Sequence, residues 1–357
     1  MNRTLLRIAP AAESRLPTTD FSTLRFGDVF SDHMVQIVYA DGAWQQGDVL
    51  PFGPISLSPA VSVLHYGQAV FEGLKAFHHV SGCVNVFRAD AHHDRFIRSC
   101  DRMGIPPLPR ETWFDAIDTL LDIDKGWVPT DPFKSYYIRP FVMATEPYLG
   151  VRQALRYRFM VIGGPVGNYY AEGVKPVRLT TMPAYARAMR GGTGSAKSPG
   201  NYAATLKPSF EAMAKGYAQV LWLDAAERKW VEEVGTSNLF FHIGDTLVTP
   251  PLSDTILAGV TRDSVLTLAS DWGLAVEQRP VSIEEVFRAG ETGQLKEVFA
   301  SGTAAVISPV GHIHHDGRTV ETDMVRMGPL AQQFYDALTG IHHGLVPDPH
   351  GWCRLLG

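Results

Sequence analysis

"RGGTGSAKSPGNY", residues 190–202, sets a lysine in a run of glycines, and the reading of the whole chain turns on what Lys197 is for. Gly191, six positions earlier, and Ser198 just after it nearly complete G-x-x-x-x-G-K-[ST], the loop that cradles nucleotide phosphates. Ala196 stands where that pattern requires Gly. Pro199-Gly200 are poor material for the helix such a loop must enter, because the residue before a proline is pushed out of the α region and glycine is a weak helix former. No acidic strand end of the Walker-B kind supports the nucleotide reading. A second reading is a lysine held on a tight turn so that its amine becomes a covalent nucleophile toward a carbonyl cofactor. A third is an ordinary surface lysine on a flexible loop.

The 357 residues are enough for two domains, since single cores stop growing near ~250–300 residues. Hydrophobic residues make up 45% and charged ones 19%, the balance of a folded globular chain. With 32 Lys+Arg against 37 Asp+Glu and no basic run, nucleic acid is an unsuitable partner. The three cysteines lie far apart, without metal or redox spacing, as in a reducing compartment. No apolar run reaches the roughly 18 residues of a membrane span, and "MNRTLLRIAPAAES" has no signal-peptide core, so a cytoplasmic location is expected.

Upstream of the lysine, Asp41-Gly42 marks a hairpin in "HMVQIVYADGAWQQGDV". Phe96, Cys100 and Met103 recur at i, i+4, i+7 in a helix expected over about 90–103 and closed by Gly104, and a second helix follows near 110–124. "SYYIRPFVMA" and "YRFMVIG" read as strands. Gly and Pro crowd "GGPVGNYYAEGVKP", which reads as a linker. Beyond it, strands are expected at "VRLTTM", 218–223, 229–233 and 238–243, and helices near 261–272, 282–288 and 326–340. Leu206, Phe210, Met213 and Tyr217 mark a helix face, which Pro208 predicts to start late or bend.

The stretches "LHYGQAVFEGLKAF" (64–77), "YYIRPFVMATEPYLGV" (136–151), "GSAKSPGNYAAT" (194–205), "WVEEVGTSNLFF" (230–241), "LAGVTRDSV" (257–265) and "ASGTAAVISPVG" (300–311) together resemble the branched-chain amino-acid aminotransferases, class IV, fold-type IV enzymes that use pyridoxal 5'-phosphate. Matches run in order from about residue 30 to "DPHGW" at 348–352, covering nearly the whole chain. The resemblance implies an α+β, two-domain architecture. A small N-terminal α/β domain (1–165) and a linker (166–176) precede a larger cofactor-binding domain with a β-barrel-like core flanked by helices (177–357).

By that resemblance Lys197 is the Schiff-base lysine, Glu233 the carboxylate partner of the pyridine nitrogen and Tyr202 the partner of the phenolic oxygen. Arg95, Thr236, Val260, Thr261 and Thr303 complete the cofactor site; the free N–H groups at the start of the helix after Gly259 suit an anion. Alternation along the strand puts Glu232 on the face opposite Glu233. Without the resemblance both would read as solvated strand acids, Arg98 would be as good a choice as Arg95, and Thr261 would be a helix cap.

The same resemblance places Tyr66, Phe71, Tyr137, Arg139 and Tyr169 around the substrate, with the Thr303-Ala304 backbone on its α-carboxylate. Aromatic walls gain about 0.8 kcal/mol per methylene buried. Arg139, helped by Tyr66 and Tyr137, is expected to serve the distal carboxylate of glutamate. "TEPYLGV" resembles a loop that reaches the neighbouring subunit, with Leu149 and Val151 as its apolar contacts, which implies a homodimer. Ala305 and Ser308 stand where mammalian relatives carry a C-x-x-C redox pair, so thiol control by that route is excluded. The implied reaction transfers the amino group between L-leucine, L-isoleucine or L-valine and 2-oxoglutarate through a Lys197 aldimine, without a metal. Rivals on the same fold are D-amino-acid or (R)-amine transaminases and aminodeoxychorismate lyases, and the rival from another class is the P-loop NTPase.

Overall fold

The computed structural model describes residues 6–167 and 174–357. Tyr169, with the rest of 168–173 in the expected linker, lies outside the described residues. The chain forms two compact units: Met1–Tyr169 with Ala196–Pro199 and Gly340–Gly357, and Tyr170–Ser195 with Gly200–Thr339. Lys197 therefore packs with the first unit, although the chain on both sides of it belongs to the second.

The first unit is built on a ten-stranded sheet among the described residues. His33–Ala40 turns back into Ala43–Trp44 through Asp41 and Gly42, at φ 53° and 79°, the left-handed pair that a tight hairpin needs. At its centre Ser135–Ala144 runs antiparallel to Tyr157–Val166, in register from Ser135 opposite Val166 to Ala144 opposite Tyr157. Tyr136, Ile138, Val142 and Phe159 share one buried face of this pair. Onto it pack α2 (Ala89–Arg102) and α3 (Arg110–Ile123), through Phe96 on Phe159 (5.7 Å between ring centroids) and Trp113 on Phe159 (5.9 Å). Each large side chain so buried contributes about 1.5–3 kcal/mol. Tyr137 and Arg139 point to the opposite face. The short α1 (Ser62–Tyr66) ends at Gly67, φ 64°, just before strand Ala69–Phe71.

The second unit carries a nine-stranded mixed sheet among the described residues. Val177–Thr181 pairs in parallel with both Gln219–Leu223 and Val306–His315. Val231–Val234, next along the path, bridges to the start of Asn238–Ile243 through Val234 and Ser237, so the sheet curls toward closure as a barrel-like core. The α+β, two-unit architecture is that expected. Helices α4 (Pro199–Ala203), α5 (Leu206–Ala214), α6 (Val260–Asp271), α7 (Ile283–Glu291) and α8 (Pro329–His343) complete the α-helices among the described residues.

Three local expectations are corrected. A helical turn does follow the lysine: Pro199 opens α4, where its fixed φ suits the first helical position. Pro208 neither delays nor ends α5, because it lies in the first turn, where no backbone N–H has an intrahelical acceptor. The face marked by Leu206, Phe210 and Met213 is exposed at 69%, 74% and 64%; α5 instead buries Pro208 and Ala212, the latter against Val220 and Trp222.

Candidate active site

In the first unit the lysine is pinned at its backbone. The Lys197 N–H donates to Ser99 Oγ (3.0 Å), whose proton goes to the Arg95 carbonyl (2.9 Å), and the Lys197 carbonyl accepts from the Phe71 N–H (3.0 Å). Helix α2 and strand Ala69–Phe71 thus hold the lysine from two sides, and the chain continues from Phe71 into Glu72. The Phe71 ring carries two cations: Lys197 Nζ lies 5.1 Å and Arg139 Cζ 4.8 Å from its centroid. Arg139 Nη2 also donates to Tyr137 Oη (3.0 Å), while its Nε is buried without a hydrogen-bond partner among the described residues. Such a group costs about 1–3 kcal/mol until an acceptor arrives. Tyr66 donates to the Leu149 carbonyl and is itself 43% exposed.

Arg95, not Arg98, is the buried arginine of α2. Its Nε and Nη2 donate to the two oxygens of Glu72 (2.6 and 2.8 Å), which is fully buried and also accepts from His92 Nδ1 (2.8 Å) and the Gly73 N–H (3.1 Å). Burial works to raise the Glu72 pKa, but the Arg95 charge and the hydrogen bonds from Arg95 and His92 outweigh it and hold the carboxyl well below the usual range. His92 is shifted the other way from a paired histidine: burial outweighs its Glu72 partner and lowers its pKa.

In the second unit both acids of "VEEV" are buried, which excludes two solvated strand residues. They part as alternation requires. Glu233 Oε1 accepts from the Leu257 N–H (2.6 Å), and its Oε2 lies 3.2 Å from Arg187 Nε. Glu232 Oε1 accepts instead from Thr255 Oγ1 (2.6 Å). Arg187 Nη2 donates to the carbonyls of Gly194 and Thr255, so one arginine joins the strand acid to the loop leading to Lys197. Asp254 holds the same loop through its carbonyl to the Ser195 N–H (2.9 Å) and its carboxylate to the Gly191 N–H (2.6 Å).

Asn238 ties the Glu233 strand to the Leu257 segment and the start of α6. It approaches Glu233 (3.5 Å), donates to the Leu257 carbonyl (2.9 Å) and pairs across the sheet with Ser301. A Cβ on Gly259 would strike its side chain, which brings the start of α6 close. Val260 and Thr261 are buried there, and among the described residues no side-chain hydrogen bond caps the helix N-terminus at Gly259. Thr236 is exposed in the turn after Glu233; Thr303 and Ala304 are half-buried in the turn between Leu295–Gly302 and Val306–His315. A Cβ on Gly302 would lie 2.8 Å from Ser237 Oγ, so these two turns adjoin. Val306 closes the second at φ 62°, a costly conformation for a β-branched residue and one that clusters at functional turns. Tyr202 is half-buried on α4.

Sequence reasoning missed Glu72, His92, Arg187, Asp254 and Asn238. Glu72 and Asn238 lie inside the quoted motifs, and Arg187 ten residues before the lysine; their partners are remote in sequence, so no spacing announces them.

The class IV amino-transferase family model matches residues 69–313, from the strand bearing Phe71 through the Thr303 turn. The chain belongs to this family. It is 45% identical over 340 residues to branched-chain-amino-acid aminotransferase 2 of Bacillus subtilis (strain 168), covering 95% of this chain and 94% of that protein. Among solved structures it resembles the T.th. branched-chain amino acid aminotransferase with pyridoxamine 5'-phosphate (28% identity, TM-score 0.73, 90% and 98% of the two chains). It likewise resembles the same enzyme complexed with N-(5'-phosphopyridoxyl)-L-glutamate (28%, TM-score 0.71, 90% and 98%).

Proposed function

We propose that this chain is a pyridoxal-phosphate-dependent branched-chain-amino-acid transaminase, moving the amino group between L-leucine, L-isoleucine or L-valine and 2-oxoglutarate. The observation that carries the reading is the pair of cations on Phe71: an amine fixed at its backbone, and an arginine whose buried Nε lacks an acceptor. The amine suits a carbonyl and the arginine suits a carboxylate. The donor set fits the cofactor as well. A buried carboxylate with its own arginine (Glu233 with Arg187), a buried cationic fork (Arg95) and an uncapped helix start supply partners for a ring nitrogen and a phosphate.

When bound, pyridoxal 5'-phosphate supplies an aldehyde and an electron-withdrawing ring. Glu233 would hold the proton at the ring nitrogen; Arg95, Val260, Thr261 and Thr303 would hold the phosphate; Tyr202 would donate to the phenolic oxygen, and Thr236 would be a further cofactor contact. Lys197 Nζ receives the α-proton of the amino acid. The Thr303-Ala304 backbone holds the α-carboxylate, and Phe71, Tyr66 and Tyr137 exclude water from an aliphatic side chain or the stem of glutamate. Arg139 meets the distal carboxylate. Tyr169 belongs to this set by resemblance alone.

A homodimer is part of the proposal: Leu149 and Val151, 59% and 86% exposed, are apolar side chains that a partner would cover. A cytoplasmic site of action is also proposed. Among the described residues no helix is long and apolar enough to cross a membrane. The test is reductive trapping. Protein incubated with pyridoxal 5'-phosphate and treated with borohydride should carry the label on Lys197, and leucine with 2-oxoglutarate should yield glutamate. Label elsewhere, or none, overturns the assignment.

A further inference from the structure

Behind strand Val231–Val234 the second unit holds a cavity of about 540 Å3, within the usual size of small-ligand pockets. Its apolar wall includes Trp230, Met189 and Ile256, and Glu232 and Thr255 are buried polar members of its lining. Glu232 is 8% exposed. Its Oε1 is satisfied by Thr255, whose hydroxyl is itself 2.8 Å from Ser253 Oγ, but its Oε2 is buried without a partner among the described residues. Buried side-chain oxygens are nearly always paired, so this one marks a missing donor.

The neighbouring charges do not provide it. Arg187 turns its Nε toward Glu233 and its Nη2 toward two carbonyls. Asp224 accepts four backbone N–H groups, from Ala226, Glu227, Lys229 and Trp230, and Glu227 accepts the Trp230 indole N–H. Among the described residues three acids, Asp224, Glu227 and Glu232, line the cavity against one cation, Arg190, which is exposed. Burial, with Glu233 and Asp224 adding to it, pushes the Glu232 carboxyl up despite Thr255 and Arg187; a cation bound beside it would relieve that strain.

We propose that this cavity is a second small-molecule site, distinct from the lysine site, for an organic ammonium. One N–H of the ligand meets Glu232 Oε2, and its aliphatic body lies against Trp230, Met189 and Ile256. An inorganic cation fits less well, because it needs about six oxygen ligands and this wall is largely apolar.

The probe is N-methylpiperidinium, a tertiary ammonium with a single N–H that cannot condense with a carbonyl cofactor. Binding to the protein saturated with pyridoxal 5'-phosphate is followed by ligand-observed NMR titration. Saturable binding is expected, weakened about tenfold or more by Glu232→Gln, the worth of a charge-assisted hydrogen bond. It should be weakened comparably when 1,1-dimethylpiperidinium, with equal charge and no N–H, replaces the probe. Trp230→Ala, read in the same way, carries the test if Glu232→Gln does not fold. No saturable binding, or binding that neither substitution changes, overturns the proposal. The outcome is independent of whether Lys197 is labelled by the cofactor.

Discussion

Glu72→Gln should be among the most damaging single-atom-scale changes in this chain. The carboxylate is fully buried and makes a two-pronged pair with Arg95, whose side chain is 5% exposed. Glutamine keeps the shape but removes the charge, and it turns an N–H2 group toward donors on Arg95, His92 or Gly73. Breaking a buried pair on one side costs about 3–5 kcal/mol, against a total stability on the order of 5–15 kcal/mol. Urea unfolding of the apoprotein should show that loss as a lower midpoint at unchanged slope.

The pH dependence has a definite sign. The folded-state pKa of Glu72 is depressed, so its contribution is complete above the unfolded carboxyl pKa of about 4.3 and is lost as pH falls toward the folded value. The gap between wild type and variant should therefore be constant near neutrality and shrink in acid below about pH 4. The double variant Glu72→Met/Arg95→Met removes both charges and should recover much of the loss. A loss under about 1 kcal/mol, or a gap that does not narrow in acid, would refute the reasoning. If Arg95 holds the phosphate, Glu72→Gln should also weaken pyridoxal-phosphate binding, because the fork loses its orienting partner.

Gly194→Ala would place a Cβ 2.6 Å from Ala188 Cβ and 2.8 Å from the Thr255 Cα and carbonyl oxygen. Thermal melting should show a loss of about 1–3 kcal/mol, and borohydride labelling of Lys197 should fall with it; unchanged values in both would contradict the tight-loop account. Arg139→Ala should slow the half-reaction with 2-oxoglutarate more than the one with leucine, by about tenfold or more, and equal losses in stopped-flow traces would sink the assignment to the distal carboxylate. Val151→Asp puts a charge where a partner's apolar surface is proposed and should shift sedimentation toward a monomer; an unchanged profile argues against that loop as the interface.

The chain by itself determined its family and most of its elements. Those signals are local or ordered: the hairpin at Asp41-Gly42, the period of Phe96 and Cys100 in α2, and six motifs in fixed succession around one lysine. Local signals also misled. Pro199 and Pro208 read as breakers until their positions in first turns were known, and the periodic Leu206, Phe210 and Met213 read as a helix face, with no sign that solvent would cover it.

Only the tertiary structure decided how charges are shared. That Arg95 is held by Glu72, that Arg187 stands between Glu233 and the lysine loop, and that Glu232 keeps one oxygen unpaired are results of packing residues distant in sequence. Coulomb energy and desolvation depend on distance and burial in the folded chain, and neither quantity is written in the order of the residues.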